Sequence, residues 1–315
     1  MKRAPTSLLL LALVCLPMST HAQSGPGFER GMQIAFGMPR IAATNLYLSR
    51  AMVIEAVYQA TILSGAAMMG QIRNTGTLSP GYGGAFQYAP QPSDRLVVHY
   101  AGQIHEFVVH EAVGNTQAMT SDQWLLSPHQ LRYSHRLADL AEAEISVRFD
   151  GASFETEVNG WTTQWDRRYE MSLRSSGRTG GVRDLDGQDV QTTYSVAGTI
   201  EGPGLSLRVN EQHTSSLVSA QSLRMLPSQR GAASQSTALL SSALTLDGEV
   251  YELRDVRVEM GTQSRGGQSS AGTTGLQGVL VRGGAEFGRF VLQGGRPFLT
   301  TADGSVALDG LGGAP

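Results

Sequence analysis

Five of the chain's seven histidines fall between residues 99 and 135: His99, His105, His110, His129 and His135. Histidine gathered this way suits a metal or a general base, because the neutral ring offers a nitrogen lone pair near physiological pH. Within the cluster, the run from His105 and Glu106 to His110 has the residue types of the helical zinc-protease motif. There, two histidines four apart face one ion and the glutamate acts as base. Here the spacing is five. On a helix that turns His105 and His110 about 140° apart, and on a strand it sends them to opposite faces. The protease arrangement is excluded in either element.

A strand arrangement leaves His99, His105, Glu106 and His110 as candidate metal ligands, on a hairpin turning near Ala101 and Gly102. A three-residue turn from Tyr100 to Gly102 sets Val97 opposite His105, with His99 diagonally beside it. A two-residue turn sets Val98 opposite His105 and moves His99 to the face of Glu106 and His110. The three-residue turn is expected, because the shorter one forces Ala101 to positive φ. Either way two of these three histidines at most share a face, so a metal needs help from His129, His135 or Asp122.

Aromatic residues form the second candidate set. In residues 144–165, Asp150-Gly151 and Asn159-Gly160 suit two-residue hairpin turns. The two registers agree in placing Ile145, Val147, Phe149, Phe154, Val158, Trp161 and Trp165 on one face. Arg148, Glu155, Glu157 and Gln164 take the other. Phe149, Phe154, Trp161 and Trp165 are therefore candidate ligand-binding residues. Their face is expected to fill a core or line an apolar cavity, and the two tryptophans could stack on sugars instead.

The remaining motifs fall short of a chemistry. Asp184, Asp186 and Asp189 resemble a calcium loop, but Gly187 falls at the fourth position and no closing glutamate follows. Glu142 with Glu144, and Glu155 with Glu157, share strand faces, whereas a glycosidase needs carboxyls facing each other across a cleft. There is no G-x-S-x-G elbow and no serine with an evident base. No motif implies a cofactor.

Composition bounds the rest. Residues 1–22 read as a signal peptide, with Lys2 and Arg3 before an apolar run and Thr20 and Ala22 at the cleavage site. Cys15 and Lys2, the only cysteine and lysine, lie within it, so the mature chain lacks disulfides, thiol nucleophiles and Schiff-base lysines. Without Lys2 and Arg3, the 24 basic residues fall to 22 against 27 acidic ones, a net charge of −5. No nucleic-acid footprint exists in such a balance.

The elements that must position these residues follow. After an N-terminal segment at 23–39, residues 40–72 are expected to form one long helix capped at Thr44 or Asn45. It is apolar nearly all round, with a narrow stripe at Asn45, Ser49, Glu55 and Gln59. Arg50, Glu55 and Gln59 disfavour a membrane span. Residues 74–93 are a Gly/Pro-rich linker. Residues 94–315 read as antiparallel β structure, with further turns at Asp186-Gly187, Asp247-Gly248, Gly283-Gly284, Gly294-Gly295 and Asp303-Gly304. Ser/Gln/Gly-rich stretches at 211–238 and 261–275 are expected to be loops, the first a potential boundary between two β units.

The fold class expected is mainly β, an antiparallel meander, sandwich or half-barrel with one long N-terminal helix. In outline it resembles half-barrels that carry lipids, a likeness of arrangement alone. The leading expectation is an exported, periplasmic or secreted non-enzymatic protein holding an apolar or amphipathic ligand between sheet and helix. Its partner would be an apolar or glycan ligand. The alternatives are a structural module meeting an envelope protein, and a metal- or carboxylate-dependent hydrolase using the 99–135 histidines. An outer-membrane barrel is a further alternative, disfavoured by the charged faces of 144–157.

Overall fold

A computed structural model of the chain describes residues 27–39, 42, 53, 72–74, 92–93, 95–100, 103–114, 127–151, 153–180, 190–217, 235–265 and 268–309. The chain is mainly β, as expected. Its strands are β1 (Ile72–Asn74), β2 (Arg95–Tyr100), β3 (Gln103–Gly114), β4 (His129–Leu137), β5 (Ala141–Phe149), β6 (Ser153–Gln164), β7 (Arg167–Gly180) and β8 (Val190–Gly202). They continue as β9 (Leu205–Leu217), β10 (Gln235–Leu240), β11 (Ala243–Leu246), β12 (Glu249–Arg265), β13 (Gln268–Arg282), β14 (Ala285–Gln293), β15 (Arg296–Thr301) and β16 (Gly304–Ala307). All sixteen belong to one antiparallel sheet in chain order, with β10 and β11 sharing the place between β9 and β12. The strands on either side of residues 218–234 thus pair directly with each other.

Local turn chemistry builds much of this meander. Asp247-Gly248, Gly283-Gly284 and Gly294-Gly295 all take positive φ at both positions, as the sequence implies for turns whose twist matches that of the strands. Near the C-terminus the turn residues are Ala302 and Asp303, one position earlier than expected, and Gly304 opens β16. Asp186-Gly187 and the calcium-like Asp184 and Asp189 lie outside the described residues.

Three expectations are corrected. Asn159-Gly160 is no turn: β6 runs through it, and the chain reverses at Trp165-Asp166, both at positive φ. Gly160 serves close approach instead. A Cβ there would lie 2.5 Å from the Ala143 Cα on β5, so only glycine lets the strands meet at this register. At the preceding turn Phe149 pairs with Phe154, so the connection is longer than the two residues expected for Asp150-Gly151. Residues 261–275, expected as a loop, continue β12 and β13 to the pair Arg265–Gln268. A ladder is held by backbone groups, which polar side chains leave intact.

The substitution Gly160→Ala is expected to cost about 1–3 kcal/mol in denaturant unfolding, as an overpacked contact. Gly272→Ala, with open space at its Cβ position, is the control. Equal stability of the two variants would refute the close-approach argument.

The described helix, α1, spans residues 27–39, the N-terminal segment for which no helix was expected. Of the 40–72 segment, Ala42 and Val53 are helical, Ile72 opens β1, and the rest lies outside the described residues. Residues 31–36 are all buried. At about 100° per residue six consecutive positions pass fully round a helix, so α1 is enclosed on every side. Met32, Ile34, Ala35, Phe36 and Met38 join one core with residues from every strand from β7 to β16. Laid flat, those nine strand positions would span about 38 Å, while a helix is only ~10 Å across. The sheet must therefore bend round α1. At one flank Arg30 lies 6.0 Å from the Trp165 ring, and at the other Gln33 Nε2 donates to the Ala307 carbonyl at 3.0 Å. Gly31 lets β11 close in, since a Cβ would meet the Leu246 side chain at 2.5 Å.

Candidate functional site

The histidine cluster lies on β2, β3 and β4, and its members face two ways. Val98 stands opposite His105 and His99 opposite Ile104, so the shorter of the two expected turn registers is the one formed. A slip by one residue would reverse every side chain of β3, so strand pairing sets this register; Ala101 and Gly102 themselves lie outside the described residues. The side chain of His99 lies outside the described residues.

On the inner face, His105, Phe107 and Val109 are buried opposite Leu137, His135 and Tyr133. His105 Nδ1 and His135 Nε2 lie 3.0 Å apart, with rings 8° from parallel. The His135 ring also stacks on Phe107 at 4.7 Å. One imidazole donates its ring N–H to the other. Burial, and then the neighbouring His105, hold the His135 pKa down to about 3, and burial also lowers that of His105. His129 faces inward too, donating from Nδ1 to the Ser127 carbonyl at 2.8 Å and packing on Phe149.

On the outer face lie Glu106 and His110. A β-bulge between the pairs Val109–Tyr133 and Glu111–Arg132 turns both His110 and Glu111 outward. His110 Nε2 contacts Ser134 Oγ, Ser134 Oγ donates to Glu144 Oε1 at 2.5 Å, and Nε2 lies 3.5 Å from that same oxygen. The structure thus separates His105 from Glu106 and His110 across the sheet. It joins His105 to His135 and His110 to Ser134 and Glu144. No group of three or more histidine, cysteine, aspartate or glutamate side chains suited to a metal occurs among the described residues.

The Ser134 contact was invisible in the sequence, where serine and histidine stand 24 residues apart. It has the members of a catalytic triad but not the polarity. In a triad the serine proton goes to histidine and the acid holds the far ring nitrogen. Here the single Ser134 proton goes to Glu144, so Nε2 must be the donor toward Oγ, and the acid sits on the same nitrogen. The serine is not activated.

The four aromatic candidates separate as well. Phe149 and Phe154 point inward as direct cross-strand partners. Because β6 continues through Asn159-Gly160, parity places Trp161 outward, where Arg168 stacks on it at 4.3 Å. Trp165, in the turn, packs on the α1 core. The inward row extends beyond what the sequence suggested, through Gly177 to Tyr194 and His213. Phe154 and Tyr194 meet at 6.1 Å over Gly177, and Tyr194 stacks on His213 at 4.6 Å. His213 Nε2 pairs at 2.8 Å with Glu211, which is fully buried. The Glu-x-His alternation was the available signal for this pair, hidden by the polar composition of 211–238.

The outer face also carries a groove of about 520 Å³ across β3–β7. Glu111, Arg132, Ser146, Glu157 and Arg174 stand opposite one another in one row, and Gln130, Arg148, Glu155 and Ser176 in the next. Glu157 holds Arg174 at 3.2 Å and Glu111 holds Arg132 at 3.8 Å. Such alternation accepts and donates hydrogen bonds in turn and carries little net charge, so it suits a polar partner rather than a polyanion. Compared with protein-family models, with curated proteins and with solved structures, the chain matches none of them.

Proposed function

We propose that this chain is an exported, non-enzymatic cell-envelope interaction module, a half-barrel wrapped round its own N-terminal helix. The enclosure of α1 carries this reading. Met32, Ile34 and Phe36 fill the hollow of β7–β16, and the groove on the outer face of β3–β7 is the surface we assign to a partner. The groove there is within the size range of small-ligand sites. Its partner would be a polar glycan or an envelope protein.

Sedimentation with isolated envelope fragments tests this. The protein is expected to sediment with them at low salt and less at high salt, since exposed charges are screened. Replacing Arg132, Arg148 and Arg174 together by glutamate should abolish the association without lowering the melting temperature. If the triple variant sediments as the parent does, the groove is not the contact surface and the reading fails.

An apolar or amphipathic ligand between sheet and helix is the second reading. Phe154, Met171 and Tyr194 support it, because they face inward but are only partly buried. Such a ligand would lie along the aromatic row and not in the space held by α1.

A further inference from the structure

We infer that Trp161, on the outer face of β6, is the stacking platform for an extended glycan without net charge, which runs from it along β6 into the outer groove. This rests on the groove being the contact surface, and it specifies what the groove receives. Trp161, Asn159, Glu157 and Glu155 alternate along one face of β6. Steps of ~7 Å make that line ~20 Å long. Glu157 and Glu155 line the groove, and Trp161 stands at the other end. Arg168 lies 4.3 Å over the indole, and Glu170 accepts from Arg168 Nε at 2.6 Å, which fixes the plane of the ring. With Arg168 in place Trp161 is still partly exposed.

A pyranose with equatorial hydroxyls has a flat face of C–H groups, slightly positive, and the face of an aromatic ring is negative. The hydroxyls of a sugar stacked there point sideways. On the two sides stand the acceptors Glu142 and Glu170, the direct cross-strand partners of Trp161, about 10 Å apart. Toward the groove the donors and acceptors are already ordered. Ser172 donates to Asn159 Oδ1 at 2.7 Å, and Asn159 Nδ2 and Arg174 donate to Glu157 at 3.4 and 3.2 Å. At the far end Arg148 and Glu155 stand directly opposite each other, and neither is hydrogen-bonded or ion-paired among the described residues. One donor and one acceptor are therefore left to the ligand. Arg132, Arg148 and Arg174 balance Glu111, Glu155 and Glu157 in the groove, so a polyanion or polycation would meet like charge throughout it. A hydroxyl donates to one kind and accepts from the other. The alternation also leaves no apolar centre of the kind that a protein interface buries.

The test is a titration of the full-length chain with β-1,4-linked tetramers of N-acetylglucosamine and of glucose, both uncharged and extended. At least one tetramer is expected to shift the indole N–H resonance of Trp161 in the parent, a readout that needs no variant. It should bind about 10-fold or more tightly than its disaccharide, which cannot add the hydrogen bonds of the groove to the stack. Trp161→Ala should weaken binding at least ~10-fold, as loss of an aromatic anchor does. Trp161→Phe, which keeps an aromatic face, should lose less. A Trp161 resonance that neither tetramer shifts, equal affinity for tetramer and disaccharide, or unchanged affinity in Trp161→Ala would each overturn the inference. If neither tetramer binds while sedimentation with envelope fragments still depends on Arg132, Arg148 and Arg174, the groove meets a protein, and the glycan assignment fails while the interaction module stands.

Discussion

Replacing Ile34 with aspartate is expected to prevent folding altogether. Ile34 is 0% exposed in the middle of α1, within the core shared by β7 to β16. An ionised carboxylate there has no cation among the core residues, and burying it unpaired costs more than most domains can spare. The whole stability of a domain is about 5–15 kcal/mol. The milder Ile34→Ala should retain the fold and lose about 2–5 kcal/mol, as cavity-forming substitutions do. Glu29→Ala, on the exposed first turn, should change stability by no more than about 0.5 kcal/mol. Far-ultraviolet circular dichroism and urea unfolding read all three. If Ile34→Asp folds with the parent's midpoint, α1 is not the centre of this core.

The second large effect is expected in acid. His135 has its pKa lowered from 6.5 to about 3 in the folded chain, first by burial and then by His105. Unfolded, it returns to the ordinary value near 6.5. Between those values the unfolded chain binds a proton that the folded chain refuses. Stability contributed this way is complete above about pH 6.5 and is lost as pH falls toward 3. Each such group gives a slope of about 1.4 kcal/mol per pH unit, and His105, also lowered by burial, adds to it. Carboxylates held low by arginine, such as Asp309 beside Arg296, begin to matter only at the acid end of this range. His135→Phe, which preserves the stack on Phe107, should flatten the slope between pH 4 and 6 by about one proton's worth. An unchanged slope would show that His135 is not the group responsible.

Both predictions rest on features that the sequence showed only in part. The histidine cluster was legible as a cluster, and the five-residue spacing correctly ruled out a helical zinc motif. Which histidines meet was not legible, because His105 and His135 are joined by the β3–β4 register across 30 residues. The aromatic set was read on a single face because asparagine-glycine has the chemistry of a tight turn. The same glycine also permits close strand approach, and only the position of Ala143 on β5 decides between the two uses. That one difference carried Trp161 to the opposite face from Phe154.

By itself the sequence determined the β class and several turns, because alternation along a strand and positive φ at a turn are properties of neighbouring residues. It also determined the absence of cysteine and lysine chemistry beyond residue 22. The tertiary structure decided where the helix lies. Gly27, Gly31 and Gly37 each weaken an isolated helix by roughly 1 kcal/mol against alanine, so residues 27–39 do not announce one. Enclosure by the bent sheet supplies the missing stability, and it requires Gly31 where Leu246 closes in. It likewise decided that His110 and Glu144 share a surface, since a bulge and a strand register are set by pairing between distant segments and not by either segment alone.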